Sequence, residues 1–375
     1  MPAKKRIEAQ SADSQEATET SGISRRSFLA SSGAAVAVAP LASFPGPYII
    51  NQNKTDAQTV VIGEGKFKYE CLHGWGELPQ QHQYGGATHG VTIDADGLIY
   101  LTHQGGPGSI IVFDPNGKFV RTLGKQFAGS GHGIDLRKES GEEFLYLSPA
   151  NTKDGFCKMT LKGEVVWQKN LDTLKSETGA YQTNKQRMRA TNVSFSPDGG
   201  YFLGDGYGSS MIHQYDASDN FVRTIGGNGT ADGKFRTPHG QWLDDRDGIP
   251  KLVVADRANQ RLQWFDMNGK FLKKLDGFLF PADIDIQGEL MLVADLHCRI
   301  TILDQDNSVV AQLGDDKAWR EKCLLKGKTA VRNMPQTWLP GKFVHPHDAC
   351  FDRDGNIFVA EWVKTGRFTK LKRVT

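Results

Sequence analysis

Short apolar runs and turn signals alternate at a regular spacing along most of the chain. In the segment 89–124, the apolar runs VTI, LIYL and SIIVF are separated or followed by polar turns such as DADG and DPNG. Asp and Asn side chains bond to the backbone in such turns, and Gly accepts a positive φ, so the runs between them predict short β-strands. The pattern therefore predicts an all-β protein.

The same unit recurs six times. The turns of 191–226 align with those of 89–124, and the frame returns in four further segments. A unit of about 40 residues with three or four strands, repeated six times, is typical of a six-bladed β-propeller, in which each blade buries its faces against its neighbours. Residues 66–78 are expected to supply a strand that completes the last blade and closes the ring. The copies span 89–124, 132–168, 191–226, 239–277, 281–314 and 347–362.

The residues ahead of the repeats carry the pattern of a twin-arginine export signal. SRRSFL, 24–29, places Arg25 and Arg26 before Phe28, and an alanine-rich segment too short to span a bilayer follows. The alternative is a chance basic pair in a disordered tail. We expect a mature protein that is periplasmic or extracellular, monomeric and without a membrane span. The predicted divisions are 1–43 (disordered N-terminus and signal peptide), 44–65 (linker) and 66–375 (propeller).

Charge and cysteine usage narrow the classes of partner. The chain has 45 Lys and Arg against 43 Asp and Glu, so it carries no excess positive charge to hold a phosphate backbone, and no nucleic acid partner is expected. The five cysteines form no CxxC pair, which argues against a zinc ribbon or a redox motif. Cys350 is expected to pack as a small apolar side chain.

Two connections between copies are longer than the rest. They run over about 169–190 and about 315–346, and both are polar with interspersed Trp, Tyr or Pro. Loops of this length in a compact domain are often functional. We expect them to form rims or lids over one face of the propeller.

A residue that recurs in the copies is expected to serve the structure of the blade, whereas a residue found in one copy alone needs another explanation. The aspartate of the VAD and GD motifs recurs, as Asp205, Asp256 and Asp295. We expect it to be structural, pairing with a basic or backbone group of its own blade.

The first position of each copy is histidine in four of the six, and three of these come from alternate copies. His132, His239 and His347 belong to copies two, four and six, so their side chains should converge on the axis at intervals of about 120° in a closed ring. Three neutral imidazoles with one position open form a zinc site of the catalytic kind. The alternative is that His-Gly only favours entry into a strand. His89, in copy one, is then a surplus histidine that can also touch the site. The six residues at this position are His89, His132, Thr191, His239, Ala282 and His347.

Two residues that follow the recurring aspartate have no counterpart in other copies. Tyr207 and Arg257 lie in neighbouring copies at matching depth, so both can face the cavity of the histidines. An adjacent guanidinium or metal favours the phenolate form and so suits Tyr207 to the role of a base. The alternatives are an aromatic packed between blades for Tyr207 and a surface or inter-blade ion pair for Arg257.

Five short motifs carry a resemblance to a known family. The VADxxNxRxQxF pattern is common among NHL repeats, whereas the order His, Tyr, His-Arg, His-Asp across the blades is more specific. Over most of residues 66–365 the chain thus resembles NHL-repeat propellers and, within them, the lyase domain of the peptidylglycine α-amidating enzymes. The motifs are GHGID (131–135), GDGYGSSMI (204–212), TPHGQW (237–242), VADRANQRLQWF (254–265) and PHD (346–348).

The resemblance implies a reaction and the residues that perform it. The three alternate histidines would hold Zn²⁺, and Tyr207 would be the general base on the hydroxyl of a peptidyl-α-hydroxyglycine. Arg257 would steady the tyrosinate or the substrate. The C–N bond would break to release a peptide amide and glyoxylate. The family also implies a structural Ca²⁺ on the axis, bound here by Asp348 and the carbonyl oxygens of Val91 and Ile134.

Two positions depart from the family. Gln104 stands where the family has an arginine for the substrate carboxylate, and His345 stands where it has a methionine. Because a bidentate arginine anchors and orients a carboxylate, its loss means that the substrate need not be a glycine-extended peptide. Gln104, His345 and His89 are the candidates for contacts with a small-molecule or peptide substrate.

Two other functions fit the same fold. A non-catalytic NHL propeller would bind a protein or glycan ligand and use its metals for stability alone. A lactonase-like propeller would use calcium, but such sites are built from Glu, Asn and Asp, whereas this axis is rich in histidine. Replacement of Tyr207 by Phe should abolish turnover in the enzyme and leave ligand binding intact in the binding protein.

Overall fold

Strand pairing in the computed structural model groups the strands into six antiparallel sheets, one for each predicted repeat. The structure describes residues 60–151, 153–183, 185–327 and 330–374. The segment SRRSFL and the rest of residues 1–59 lie outside the described residues. The prediction of an all-β, six-bladed propeller is confirmed.

The strands are numbered in chain order, and the first two belong to the sixth blade. They are β1 (Val61–Ile62) and β2 (Tyr69–His73). Blade one holds β3 (Thr88–Ile93), β4 (Ile99–His103), β5 (Ile110–Phe113) and β6 (Phe119–Leu123). Blade two holds β7 (Gly133–Glu139), β8 (Glu142–Ser148), β9 (Phe156–Thr160) and β10 (Val165–Lys169). Blade three holds β11 (Val193–Phe195), β12 (Tyr201–Asp205), β13 (Met211–Tyr215) and β14 (Phe221–Gly226).

The second half of the ring repeats this order. Blade four holds β15 (Pro238–Asp244), β16 (Lys251–Asp256), β17 (Arg261–Phe265) and β18 (Phe271–Asp276). Blade five holds β19 (Pro281–Gln287), β20 (Leu290–Asp295), β21 (Arg299–Leu303) and β22 (Val309–Leu313). Blade six holds β23 (Pro346–Phe351), β24 (Ile357–Glu361) and β25 (Arg367–Arg373), together with β2 and β1.

The last blade is completed by the N-terminal part of the propeller. β2 pairs antiparallel with β25, with Tyr69 opposite Arg373 and His73 opposite Thr369, and β1 adds a fifth strand outside β2. The two ends of the described chain therefore lie in one sheet. The expectation that residues 66–78 close the ring is confirmed.

The apolar core is divided among the interfaces between blades. In β20, Leu292 and Ala294 pack towards blade six, whereas Met291 and Val293 pack towards blade four. Side chains alternate between the two faces of a strand, so each sheet offers both faces to its neighbours. Each of the six blade interfaces holds one buried apolar cluster. A single blade has no core of its own, which is why the repeats need the ring.

The two long connections contain helices that the sequence patterns did not predict. The first holds α1 (Leu171–Thr178). Asn170 caps its N-terminus, because the Asn170 side chain accepts a hydrogen bond from the Thr173 backbone amide. The second holds α2 (Lys317–Cys323), capped in the same way by Asp316. The 3₁₀ turns are Gly65–Phe67, Lys125–Phe127, Arg257–Asn259, Val331–Asn333 and Pro335–Thr337.

Two smaller expectations can be compared with the structure. All five cysteines are free thiols, and Cys350 is partly buried beside the apolar cluster between blades six and one. Across the described residues there is no helix of the length and apolarity needed to cross a membrane.

Candidate metal centre

The first strands of the blades line the axis. The glycines that follow His89, His132 and His239 let the backbones of neighbouring blades approach one another closely. A Cβ on Gly133 would come within 2.3 Å of the Thr191 carbonyl oxygen, so only glycine lets blade two approach blade three there. The pairing of the first two strands slips register at this level in blades one, four, five and six. Bulges of this kind re-aim side chains, and here they lie beside the axial residues.

Four buried imidazoles meet at this level. The ligand atoms of His89, His132 and His347 all lie within 4.8 Å of one another, so this group can hold a metal ion. The ring centroid of His239 lies 5.0 Å from that of His132 and 4.7 Å from that of His347. His89, which the sequence left as surplus, is therefore part of the cluster along with the three predicted ligands.

Three of the four histidines share one hydrogen-bonding arrangement. The Nδ1 atom of His132 lies 2.9 Å from the Thr191 carbonyl oxygen, and that of His239 lies 2.7 Å from the Ala282 oxygen. Likewise, Nδ1 of His347 lies 3.1 Å from the His89 oxygen. Each acceptor occupies, in a neighbouring copy, the position that is equivalent to the histidine itself. A carbonyl oxygen can only accept, so each Nδ1 carries the proton and each Nε2 keeps a lone pair for a ligand.

His89 differs from the other three. Its Nδ1 lies 3.3 Å from Nε2 of His347, and its own Nε2 is buried without a hydrogen-bond partner among the described residues. Burial lowers the pKa of His89 to about 3 and holds the pKa values of His132, His239 and His347 well below their usual range. The imidazoles are therefore neutral near pH 7, which is the state that binds metals.

The cluster has more acceptors than donors. The three Nε2 lone pairs face two donors, the Tyr207 hydroxyl and Nδ1 of His89. One hydroxyl proton cannot serve two imidazoles, so at least one lone pair is left without a proton. A buried acceptor without a donor is costly. A cation removes that cost, and the donor set of neutral imidazoles suits Zn²⁺.

Tyr207 lies where the sequence predicted it. Its hydroxyl oxygen is 3.1 Å from Nε2 of His132 and 2.9 Å from Nε2 of His239. A Cβ on Gly206 would come within 1.8 Å of the Pro238 carbonyl oxygen, so the glycine lets the GDGYG turn approach blade four and deliver the tyrosine. Tyr207 thus bridges two candidate ligands as well as lying between blades.

Arg257 donates from Nη1 to the Tyr207 hydroxyl oxygen at 3.3 Å. Its guanidinium lies 4.9 Å from the centre of the Tyr207 ring, and the guanidinium of Arg189 lies 5.1 Å from it. Arg257 is 8% exposed, and its Nε is buried without a hydrogen-bond partner in the described chain. No salt bridge among the described residues includes it, so the ion-pair alternative has no support there.

The recurring carboxylates are structural, as expected. Asp256 pairs with Arg261 at 2.8 Å, and Asp295 pairs with Arg299 at 3.4 Å. Asp205 accepts hydrogen bonds from the Ser209 amide at 2.8 Å and from the Tyr181 hydroxyl at 3.0 Å. These side chains organise the turn at the end of each second strand.

The two remaining substrate-binding candidates lie in the walls of this region. His345 is buried, with Nδ1 2.9 Å from the Leu296 carbonyl oxygen and its ring 5.7 Å from that of Trp362. Gln104 is half-buried directly after β4, and its backbone N–H donates to the backbone carbonyl oxygens of Tyr84 and Ala87. Their contacts with a substrate stay predictions.

Further along the same first strands, four carboxylates line an axial cavity of about 220 Å³. Asp348 accepts from the Val91 amide at 2.8 Å, and one oxygen of Asp135 is buried without a partner in the described chain. Burial raises the pKa of Asp348 to about 7 and that of Asp285 to about 6. Burial, together with the repulsion of Asp348, holds the pKa of Asp135 well above its usual range.

An oxygen-only site of this kind suits a hard cation such as Ca²⁺. Of the three predicted ligands, Asp348 and Val91 line the cavity, whereas Ile134 is not one of its lining residues and only precedes Asp135, which is. The sequence reading missed Asp135, Asp283 and Asp285. Alignment of the copies at the second and fourth positions of the first strand, rather than only the first, would have pointed to them.

The chain is similar in sequence to NHL-repeat and amidating proteins. No protein-family model matches the chain. Human NHL repeat-containing protein 3 is 27% identical over 207 residues, covering 54% of this chain and 57% of its own length. Peptidyl-glycine alpha-amidating monooxygenase B of Xenopus laevis is 32% identical over 279 residues, covering 70% of this chain and 29% of its own length. The chain thus spans little more than half of the first relative and under a third of the second.

One solved structure has a similar fold. Virginiamycin B lyase from Staphylococcus aureus aligns with a TM-score of 0.52 at 12% identity, covering 82% of this chain and all of that protein. This likeness shows the fold alone. The sequence matches show homology to NHL repeat-containing protein 3 and to the amidating monooxygenase.

Proposed function

We propose that this six-bladed propeller, homologous to NHL repeat-containing protein 3 and to the amidating enzymes, is a metal-dependent carbon–nitrogen lyase. Its substrate would be a carbinolamide of the peptidyl-α-hydroxyglycine type, and its products an amide and glyoxylate. The observation that supports the proposal most directly is the Tyr207 hydroxyl, which contacts two axial imidazoles and one guanidinium at once. A purely structural tyrosine has no need of all three.

The metal would be held by Nε2 of His132, His239 and His347. These three share the arrangement in which Nδ1 donates to a carbonyl oxygen of the next blade and fixes the ring. A bound Zn²⁺ would supply a Lewis acid and a template for the reacting oxygen. The carboxylate cavity further along the axis would hold Ca²⁺ as a structural ion.

Tyr207 would act as the general base. Deprotonated, its oxygen takes the proton of the carbinol hydroxyl, the C–O bond becomes a carbonyl, and the C–N bond breaks. The electron pair of the C–N bond goes to the amide nitrogen, which takes a proton back from the Tyr207 hydroxyl. Arg257 donates a hydrogen bond to the phenol oxygen and so holds that oxygen in position to take the first proton.

The experiment is replacement of Tyr207 by Phe in the metal-loaded protein, with glyoxylate release from α-hydroxyhippurate as the assay. We expect the rate to fall by roughly 10²- to 10⁴-fold, the usual contribution of a general base. Metal content should stay the same. Tyr146→Phe is the matched control, because that hydroxyl is also hydrogen-bonded, but to Arg137 in the body of blade two.

Two results would argue against the proposal. Wild-type protein with full metal occupancy that releases no glyoxylate would exclude this reaction and leave a binding role. Equal turnover by the Tyr207→Phe and wild-type proteins would exclude Tyr207 as the base.

We also infer export by the twin-arginine route from Arg25 and Arg26. Replacement of both by Lys should retain the protein in the cytoplasm, as fractionation and immunoblotting would show. Secretion of the double variant at the wild-type level would contradict the inference.

A further inference from the structure

Two sets of arginines in this propeller differ in the partners of their guanidinium groups. One group builds the blades: Arg261, Arg299 and Arg367 each pair with the carboxylate at the end of the second strand of their blade. The other group lies beside Tyr207 or, through Trp362, beside His345, and it forms no salt bridge within the described residues; we call it the rim. It consists of Arg189, Arg257 and Arg332.

The rim arginines come from different parts of the chain. Arg257 follows the second strand of blade four, whereas Arg189 and Arg332 lie in the two long connections. Those connections were expected to form rims over one face, and each delivers one guanidinium there. Positive charge thus accumulates beside four neutral imidazoles. An anion is the chemical complement of this arrangement.

Arg332 is the rim residue best prepared for an anion. Its guanidinium lies 3.6 Å from the centre of the Trp362 ring, and its backbone oxygen accepts from the Lys364 amide at 2.9 Å. Stacking covers the face of the guanidinium and leaves the in-plane N–H groups of its edge for a planar partner such as a carboxylate. Among the described residues, the side chain of Arg332 makes one hydrogen bond, from Nε to the Trp362 oxygen at 3.4 Å.

Arg332 is linked to the metal centre through its stacking partner. The Trp362 amide donates to the His345 oxygen at 2.8 Å, and His345 is two residues from His347 in the chain. By contrast, Arg189 is exposed, and its Nε is occupied by the Ala150 oxygen at 2.7 Å.

We propose that Arg332 binds the carboxylate of the substrate and makes the site selective for carbinolamides that carry an acid group. The proposal rests on the function proposed above and adds a specificity-determining residue to it. Gln104, on blade one, is neutral and cannot form a charged pair, so the carboxylate is held by Arg332 of the second long connection instead.

The test compares the acid α-hydroxyhippurate with its methyl ester, with benzamide release as a common readout. The variants are Arg332→Met, Arg332→Lys and the control Arg353→Met, whose side chain is exposed and bonds the Ala95 oxygen at the far end of blade six. We expect Arg332→Met to raise KM for the acid by roughly 10- to 100-fold, the loss of a charge-assisted pair, with kcat changed little. The ester should show the same KM in all proteins, and Arg332→Lys should fall in between.

A binding measurement separates this proposal from the reaction itself. Calorimetry with hippurate and with neutral hippuramide needs no turnover. Hippurate bound roughly 10-fold or more tightly by wild type than by Arg332→Met supports the anion site even when no glyoxylate is released. Equal affinity of the two proteins for hippurate, or an equal rise in KM for acid and ester, overturns it whatever the activity of the wild type.

Discussion

The identity of the three metal ligands among four histidines can be tested by single substitutions. His239 has the Nδ1–carbonyl contact that His132 and His347 also have, whereas His89 has none and instead faces Nε2 of His347. The Nδ1–H group of His89 faces Nε2 of His347, which is the atom that would bind the metal. A bound metal would take the place of that proton as the partner of His347, so His89 is not required as a ligand. We therefore expect His239→Ala to lose the metal and His89→Ala to keep it.

The magnitude follows from the number of ligands. Apparent binding free energies for four-ligand zinc sites are about 10–16 kcal/mol, so one ligand contributes about 3 kcal/mol, or more than about 100-fold in affinity. His132→Ala and His347→Ala should show the same loss. His89→Ala removes only one hydrogen bond of the metal-free state, so its affinity should change by no more than about tenfold.

The assay is competition for Zn²⁺ between the protein and a chromophoric chelator, with metal content measured by elemental analysis. His213→Ala is the control for the loss of a buried imidazole, because His213 bonds Tyr181 and Thr224 instead of facing the axis. Circular dichroism checks the fold of each variant. Full zinc loss in His89→Ala with retention in His239→Ala would refute the reasoning and assign the ion to His89, His132 and His347.

Two further predictions concern stability. Burial and Arg367 lower the pKa of His73 to about 4, so below pH 6.5 the unfolded chain binds a proton that the folded chain does not, and stability falls from pH 6.5 towards pH 4. His73→Asn should reduce that slope of unfolding free energy by up to about 1.4 kcal/mol per pH unit, and an unchanged slope in urea titrations would contradict it. Ca²⁺ at 100 times its dissociation constant should stabilise the wild type by about 2.7 kcal/mol and Asp348→Asn much less, as thermal melts would show. The same calcium shift in both proteins would place the ion elsewhere.

Candidate residues followed from the sequence where a position could be compared across copies. The alternation of His132, His239 and His347 was visible because one strand start recurs six times, and Tyr207 and Arg257 stood out because no other copy has them. The structure brings all five together. The membership of His89 was not decided at that level, since its ring direction depends on contacts with blade six.

The residues missed from the sequence share one property. Asp135 lies in β7 and Asp283 and Asp285 lie in β19, at positions where a polar residue looks like an ordinary outward-facing strand residue. Arg189 and Arg332 lie in connections that have no counterpart in other copies, so no comparison could mark them. The carboxylates come together only when the ring closes, and the arginines reach the site only when the connections fold over one face.

The sequence alone thus determined the architecture, because strand alternation and turn chemistry are local and recur in every copy. It also determined which blades could aim imidazoles at one axis. Only the tertiary structure decided which nitrogen carries the proton, which carboxylates share a cavity and which arginines form no salt bridge within the described residues. Those properties depend on atoms from different blades and connections, whose distances no local pattern specifies.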